Sequence, residues 1–533
     1  QKCYFLFRAL LKMGKLKLYK PRFLLGQHLK LTLAMEEKKA PSLKINIILS
    51  FGIQLITYLV PLISAPYVAR ILLPDGVGSF SYAYSITTIF ALLITWGFPY
   101  FGTRNISKLR DDKNALSNEF WSVFFSRSLF FLGLASIFFI LYFTHALGNV
   151  VDDVLLLICS LSLLNAVFDI SYLYQGLEQF KWTSLATFIS SLSYLICIFI
   201  FVRTKQDLWI YTLIKSLQAT ILNIVLFCCI KGKINKPDFK QINIWRVAKG
   251  SAPFLLPVAA IQICTLLDQA MLGNLASTSE VGFYQQATKI TSLVTNLIAA
   301  IAPVILSRIA ILYKNGEKKE IKEKTSTMFE LALLIALPSI GGLLTVGDSF
   351  ILAYFGSDFS PAINVLYVLT PTVLFLPIAS LITSIYFFPY GKEKLVSIFY
   401  FVSMALNCIL NYFFIKLWGA FGAGIATTIS NFVLVLLCII FSTEEIDYKG
   451  ICKKAIKPLI SSIIMALVIF GVNLLIKDYI TRATFRTLVL FLVGVIIYYI
   501  FIRLTKEELV NTFALKLRKK IFKGKNKENE DSN

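Results

Sequence analysis

Apolar runs of roughly twenty residues or more recur almost end to end along this chain, separated by short intervals rich in charge, glycine and proline. A helix needs about 20 mostly apolar residues to cross the roughly 30 Å hydrocarbon layer of a bilayer. Each run is therefore long enough to span. With Gly, Pro and charge clusters as boundaries, the pattern predicts spans near 45–73, 78–101, 118–143, 153–175, 183–202 and 208–230. A second group follows near 250–274, 281–308, 325–347, 362–387, 395–415 and 420–442, with a last pair near 456–476 and 484–502. The fold class that follows is all-α, a polytopic membrane protein of about fourteen transmembrane helices. Its parts would be a cytoplasmic N-terminal segment over 1–44, an N-lobe and basic linker over 45–249, a C-lobe over 250–455, a helix pair over 456–503 and a disordered tail over 504–533.

Charge orients these spans. The chain is 57% hydrophobic and 16% charged, against roughly 25% charged in soluble chains. Its net charge of +23 does not point to nucleic acid, because the basic residues sit between apolar spans instead of interleaving with aromatics on a soluble domain. Counted from Met35, one side holds about 34 Lys and Arg and the other about 7, which places the N-terminus in the cytoplasm. The linkers Lys231 to Lys249, Lys314 to Lys324 and Lys449 to Lys457, and the tail from Arg503, then lie inside as well, where they also meet anionic headgroups. The chain opens on Gln1, and residues 1–34 lack the apolar core and cleavage site of a signal peptide. Met35 is the expected start, with the first 34 residues an extension without function.

Little in the chain can build a catalytic or metal centre. Of nine cysteines, Cys159, Cys197, Cys264 and Cys438 fall inside spans, none forms a CxxC pair, and they read as small hydrophobes. His28 and His145 stand apart from any cluster, so neither zinc nor a His-based site is expected. Asp111-Asp112 and Glu444-Glu445 lie in short charged loops and read as solvated. Linkers of at most about 20 residues are too short for a catalytic domain of ordinary size. The work is expected inside the membrane, without an enzyme activity, a metal or a cofactor beyond a coupling ion.

The two six-span groups are related. Asp75-Gly76-Val77-Gly78-Ser79-Phe80-Ser81-Tyr82-Ala83 resembles Ser279-Glu280-Val281-Gly282-Phe283-Tyr284-Gln285-Gln286-Ala287 at an offset of 204, which also matches Ile86 with Ile290, Pro99 with Pro303 and Arg104 with Arg308. Both copies have the same predicted orientation. The halves are therefore expected to be parallel repeats about an axis along the membrane normal, the plan of a two-lobed transporter that rocks about a central cavity.

These motifs resemble the bacterial flippases for lipid-linked polysaccharide repeat units (O-antigen, capsule and teichuronic type), within the multidrug, oligosaccharidyl-lipid and polysaccharide exporter superfamily. The likeness rests on Pro66-Tyr67-Val68-Ala69-Arg70-Ile71-Leu72-Leu73-Pro74-Asp75-Gly76-Val77-Gly78, Tyr100-Phe101-Gly102-Thr103-Arg104 and Tyr174-Gln175-Gly176-Leu177-Glu178. In the second half it rests on Asp268-Gln269-Ala270-Met271-Leu272-Gly273, Val281-Gly282-Phe283-Tyr284 and Gly419-Ala420-Phe421-Gly422-Ala423-Gly424-Ile425-Ala426-Thr427. Leu73 stands where the family usually has Gly, and Phe283 where Tyr is common. The resemblance implies alternating access between two six-helix lobes in the bacterial plasma membrane. It also implies an undecaprenyl-pyrophosphate-linked oligosaccharide as substrate, and a polymerase or chain-length machinery as further partners. Two alternatives stay open: an ion-coupled multidrug exporter of the same superfamily, and a membrane-embedded polysaccharide polymerase or ligase. The intramembrane excess of cations argues against the first, and outward loops of at most about 20 residues argue against the second.

Charges within spans cost about 2.5–3.5 kcal/mol on insertion scales and are functional candidates. They are Arg127, Asp169, Lys215, Asp268 and Lys289. At 1.5 Å per residue, Asp268 lies roughly 9 Å and Lys289 roughly 12 Å below the outer ends of their spans, matching depths at which they would pair. Arg127 and Asp169, roughly 14 Å and 10 Å from the cytoplasmic side, would form a second pair. Given the family's substrate, Lys215, Lys289 and Arg127 are candidates to meet the diphosphate headgroup. The alternatives are structural ion pairs for Arg127 and Lys289, and snorkelling for Lys215. Asp268 is a candidate for H+ or Na+ coupling, for a structural pair or for headgroup positioning. Arg70, Arg104 and Arg308 are expected to anchor span ends, with a cytoplasmic gate or substrate entrance as the second reading of Arg104 and Arg308. Pro61 and Pro66, with Pro253 and Pro257 in the second half, are expected to bend helices at equivalent hinges.

Overall fold

The structure is a computed structural model. It describes residues 43–147, 152–299, 312, 317–442, 446–476, 479 and 482–505. The chain divides into two units, Gln1–Leu49 and Ser50–Asn533, and the packing below concerns the second. The elements are α1 Leu43–Thr95, α2 Phe98–Lys108, α3 Lys113–Phe143, α4 Asp153–Cys159, α5 Leu161–Phe168, α6 Ser171–Gly176, α7 Phe180–Phe201 and α8 Leu208–Cys228. The second half contributes α9 Ile244–Leu275, α10 Thr278–Ala299, α11 Lys318–Tyr354, α12 Ala362–Leu369, α13 Thr372–Ile382 and α14 Glu393–Ile440, and the chain closes with α15 Tyr448–Ile476 and α16 Ala483–Leu504. Ten helical segments among the described residues are long and apolar enough to cross a membrane. Their outward faces carry large apolar side chains, Leu132, Ile140, Leu467 and Phe491 among them, as a lipid-facing surface requires.

Two of the longest helices are each broken at one residue. In α1 the break is Leu73 at φ 59, ψ 176, and in α14 it is Gly419 at φ 56, ψ −132. Both lie in left-handed backbone regions that glycine enters freely and a leucine enters at a cost of about 1–3 kcal/mol. The family's usual Gly at the Leu73 position thus has a physical reason. Pro74 follows at once, where its fixed φ and missing N–H suit the first turn of a new helix. The backbone of α1 stays helical through Pro61 and Pro66, and its non-helical residue is Leu73. Helix α9 runs through positions 253 and 257; the Pro253 and Pro257 side chains lie outside the described residues.

The repeat is visible where the lobes meet. A Cβ on Gly78 would lie 1.7 Å from the Thr278 carbonyl oxygen, and one on Gly282 would lie 2.2 Å from the Pro74 carbonyl oxygen. Adding the offset of 204 to Gly78 and subtracting it from Thr278 turns the first contact into the second. The two hairpins therefore pack backbone on backbone, reciprocally, about a pseudo-twofold axis. Asp75 Oδ1 accepts from the Thr278 hydroxyl across the same joint. Nearby, Arg70 donates to the Ala353 carbonyl at 2.5 Å and the Tyr354 hydroxyl to the Leu62 carbonyl, so the first span of the N-lobe is also tied to α11.

At the opposite end, the linker between the lobes is strapped along α3. Trp121 Nε1 donates to the Asn235 carbonyl at 2.9 Å, the Asn235 N–H to Ser117 Oγ at 2.9 Å, and the Asn243 N–H to Ser122 Oγ at 3.3 Å. Buried Glu119 accepts from Asn105 at 2.7 Å and pairs with Arg246 at the start of α9. The terminal helices are fastened to α11 in a similar way. Lys454 reaches buried Glu330 at 3.0 Å, Tyr498 donates to the Leu334 carbonyl at 2.9 Å, and Arg486 to Ser349 at 3.0 Å.

Candidate functional sites

One helix in each lobe is discontinuous. The N-lobe run α5–α6 breaks at Asp169 and Ile170, and the C-lobe run α12–α13 breaks at Thr370 and Pro371 before a π-helical turn, Thr383–Phe387. Broken helices expose main-chain polar groups that membrane proteins satisfy from neighbouring side chains. In the N-lobe Arg127 supplies this service. Its Nη1 donates to the main-chain oxygen of Asp169 at 2.5 Å, and its guanidinium carbon lies 5.9 Å from the Tyr172 ring centroid. The Asp169 carboxylate turns the other way and accepts from the Ser171 N–H at 2.9 Å, capping α6. The expected Arg127–Asp169 pair is thus made through the backbone. Arg127 is 1% exposed, which sets it inside the lobe and away from a wet surface.

The expected Asp268–Lys289 pair is replaced by something else. Asp268, 1% exposed, accepts from the Tyr284 hydroxyl at 2.5 Å, Asn411 Nδ2 at 2.6 Å and the Thr427 hydroxyl at 3.0 Å. Asn411 also donates to Asn407 Oδ1 at 3.1 Å, and Tyr284 and Thr427 share a 2.9 Å hydroxyl contact. The reason is angular. Lys289 lies five residues beyond Tyr284 on α10, about 140° round a helix of 3.6 residues per turn. Matching depth put the two charges at one level, but Tyr284 faces Asp268 and Lys289 faces elsewhere. Asn411 Oδ1 is buried without a hydrogen-bond partner, so an uncommitted oxygen sits beside the carboxylate. Sequence reading missed Tyr284, Asn407, Asn411 and Thr427 as functional residues. Two asparagines one turn apart in an apolar span were the available signal.

Lys215 and Lys289 have other surroundings. Lys215 on α8 donates to Gln218 Oε1 at 2.9 Å and stands 4.6 Å over the Tyr194 ring. Lys289 stands on α10 in the other lobe. Both are partly exposed, and among the described residues neither has a carboxylate partner. Arg104 is exposed at the end of α2. Arg308 lies outside the described residues.

The two lobes, broken helices and terminal pair make an all-helical membrane fold that solved structures share. The lipid II flippase MurJ in an inward closed conformation superposes with a TM-score of 0.70 at 19% identity, covering 87% of this chain and 99% of that one. An inward-facing multidrug transporter of the MATE family, of the MOP superfamily, gives a TM-score of 0.60 at 14% identity, covering 74% and 95%. At such identities the likeness is one of fold. The model of a family described as polysaccharide biosynthesis protein matches residues 43–312, just over half of the chain, and the chain belongs to that family. Similar in sequence is a putative O-antigen transporter of Escherichia coli (strain K12), 25% identical over 410 residues that cover 75% of this chain and 96% of the relative.

Proposed function

We propose that this protein is a flippase for a lipid-linked oligosaccharide, moving an undecaprenyl-pyrophosphate-linked repeat unit from the cytoplasmic to the outer leaflet by alternating access of its two lobes. Fourteen spans with both termini cytoplasmic follow from the basic linkers. The observation that carries the reading is that each lobe holds a lysine within a span, Lys215 and Lys289, that has no carboxylate partner among the described residues. Two uncompensated cations inside a membrane protein are costly, and a diphosphate repays that cost with charge and acceptors for both. The headgroup would cross between the lobes while the polyprenyl tail stays in lipid.

The Asp268 cluster is the proposed coupling site. A carboxylate, two amide oxygens and a hydroxyl form the hard oxygen set that suits a small cation. The unpartnered Asn411 Oδ1 supports a Na+ ligand there, and a proton on Asp268 would serve the same purpose. The test is transport of a polyprenyl-diphosphate-linked oligosaccharide in proteoliposomes, with Lys215→Ala and Lys289→Ala. Each variant should lose most transport, and the pair together no more than the worse single. Wild-type rates in both variants would sink the headgroup assignment.

A further inference from the structure

From Val77 to Thr87 the second half of α1 is buried on nearly every side, with Phe80, Ser81, Tyr82, Ala83, Ser85, Ile86 and Thr87 all closed off. Tyr84 alone in that stretch is exposed, by 36%. A helix walled in by protein does not show one tyrosine to lipid, so Tyr84 opens on an internal space. Its ring is held flat from behind. Phe80 stacks on it with centroids 5.4 Å apart and 26° between planes, and Tyr211 meets Phe80 edge-on at 4.8 Å.

This aromatic stack leads directly to the cation. Tyr211 and Lys215 stand one turn apart on α8, as Phe80 and Tyr84 do on α1, and Tyr194 carries Lys215 on its face at 4.6 Å. Tyr194 and Tyr211 are themselves buried, at 4% and 6% exposure, so of this cluster only Tyr84 has a free surface to offer. A stiff amphipathic ring with one open side is suited to the apolar C–H face of a sugar, and its hydroxyl to the sugar's rim.

We propose that Tyr84 is a sugar-stacking subsite that takes the hexose joined directly to the diphosphate at Lys215. The assignment rests on the flippase reading and adds to it a determinant for the first sugar. Because the subsite touches one ring only, it reads the reducing-end sugar and is blind to the rest of the repeat unit.

The experiment measures binding of two probes to the full chain in nanodiscs: undecaprenyl diphosphate, and the same lipid carrying a single N-acetylhexosamine. Wild type should prefer the sugar-bearing probe. Tyr84→Leu should weaken that probe alone, by roughly five- to tenfold for the loss of one aromatic contact, and Tyr84→Phe should retain most of the preference. Lys215→Ala should weaken both probes alike. Unchanged binding of the sugar-free lipid by Tyr84→Leu establishes that this variant is folded. Equal wild-type affinity for the two probes, or an equal loss of both in Tyr84→Leu, overturns the subsite while leaving the flippase reading intact. Failure of wild type to bind either overturns both.

Discussion

The two lobes share a helical plan but treat buried charge differently. In the N-lobe the broken helix is held by a cation, Arg127, that gives its hydrogen bond to a main-chain oxygen. The interior between α5 and α8 is neutral there: Thr220 donates to Asn165 at 3.0 Å, and Asn165 to the Ser216 carbonyl at 3.2 Å. In the C-lobe the broken helix has only hydroxyl support, with Thr428 donating to the Val368 carbonyl at 2.7 Å. The charge has moved to Asp268, where three neutral donors surround it. The same helical plan thus buries a cation against main chain in the N-lobe and a carboxylate among neutral donors in the C-lobe.

The largest expected effect tests that division directly. Asp268→Asn keeps the shape of the site and removes its ionisation, so gradient-driven transport should fall to background while expression and folding persist. Dependence of transport on Na+ or pH that survives in this variant would move coupling out of the C-lobe. A smaller effect is expected at the joint where the lobes are most alike. Gly78→Val must push Thr278 away, and Gly282→Val must push Pro74 away; both should part the hairpins and slow transport roughly tenfold, since an added side chain there forces a backbone shift. Reactivity of single cysteines beside Asp75 and Thr278 should rise in both variants to the same degree. Unequal responses would show that the joint is less symmetric than its geometry. The smallest effect is confined to the N-lobe. Arg127→Leu leaves the Asp169 carbonyl unpartnered, at about 1–3 kcal/mol, and should lower the melting temperature in detergent with little change in substrate affinity. A selective loss of headgroup binding would return Arg127 to the substrate path.

Spans, the repeat and the family were legible in the sequence because each rests on a one-dimensional pattern: apolar length, offset and motif order. The pairing of charges was not. Depth along a helix can be counted, but the direction a side chain faces depends on how its helix is rotated against neighbours hundreds of residues away. Asp268 and Lys289 match in depth and diverge by rotation, whereas Asp268 is met by Asn411 and Thr427 from a helix more than a hundred residues further on. The break in α1 was hidden for a related reason. Pro61 and Pro66 are absorbed in a continuous helix, and the strained residue is Leu73, whose position was noticed only as a departure from family habit. Glu119 and Glu330 escaped notice near span ends, yet both are buried and anchor neighbouring segments.

The reciprocal glycine joint has a kinetic consequence. Where two proteins meet through interlocked apolar side chains, parting them exposes area at about 25 cal/mol per Å², and the barrier grows with the plug. At the centre of the joint between the hairpins main chain lies against main chain, with the Thr278-to-Asp75 and Tyr82-to-Asn274 bonds beside it. Water can replace those polar contacts as the surfaces separate. Around that centre apolar side chains of both lobes, Val77, Tyr82, Leu272 and Val281 among them, share one core, so under alternating access the glycines would fix how closely the latch fits and the surrounding core what it costs to open.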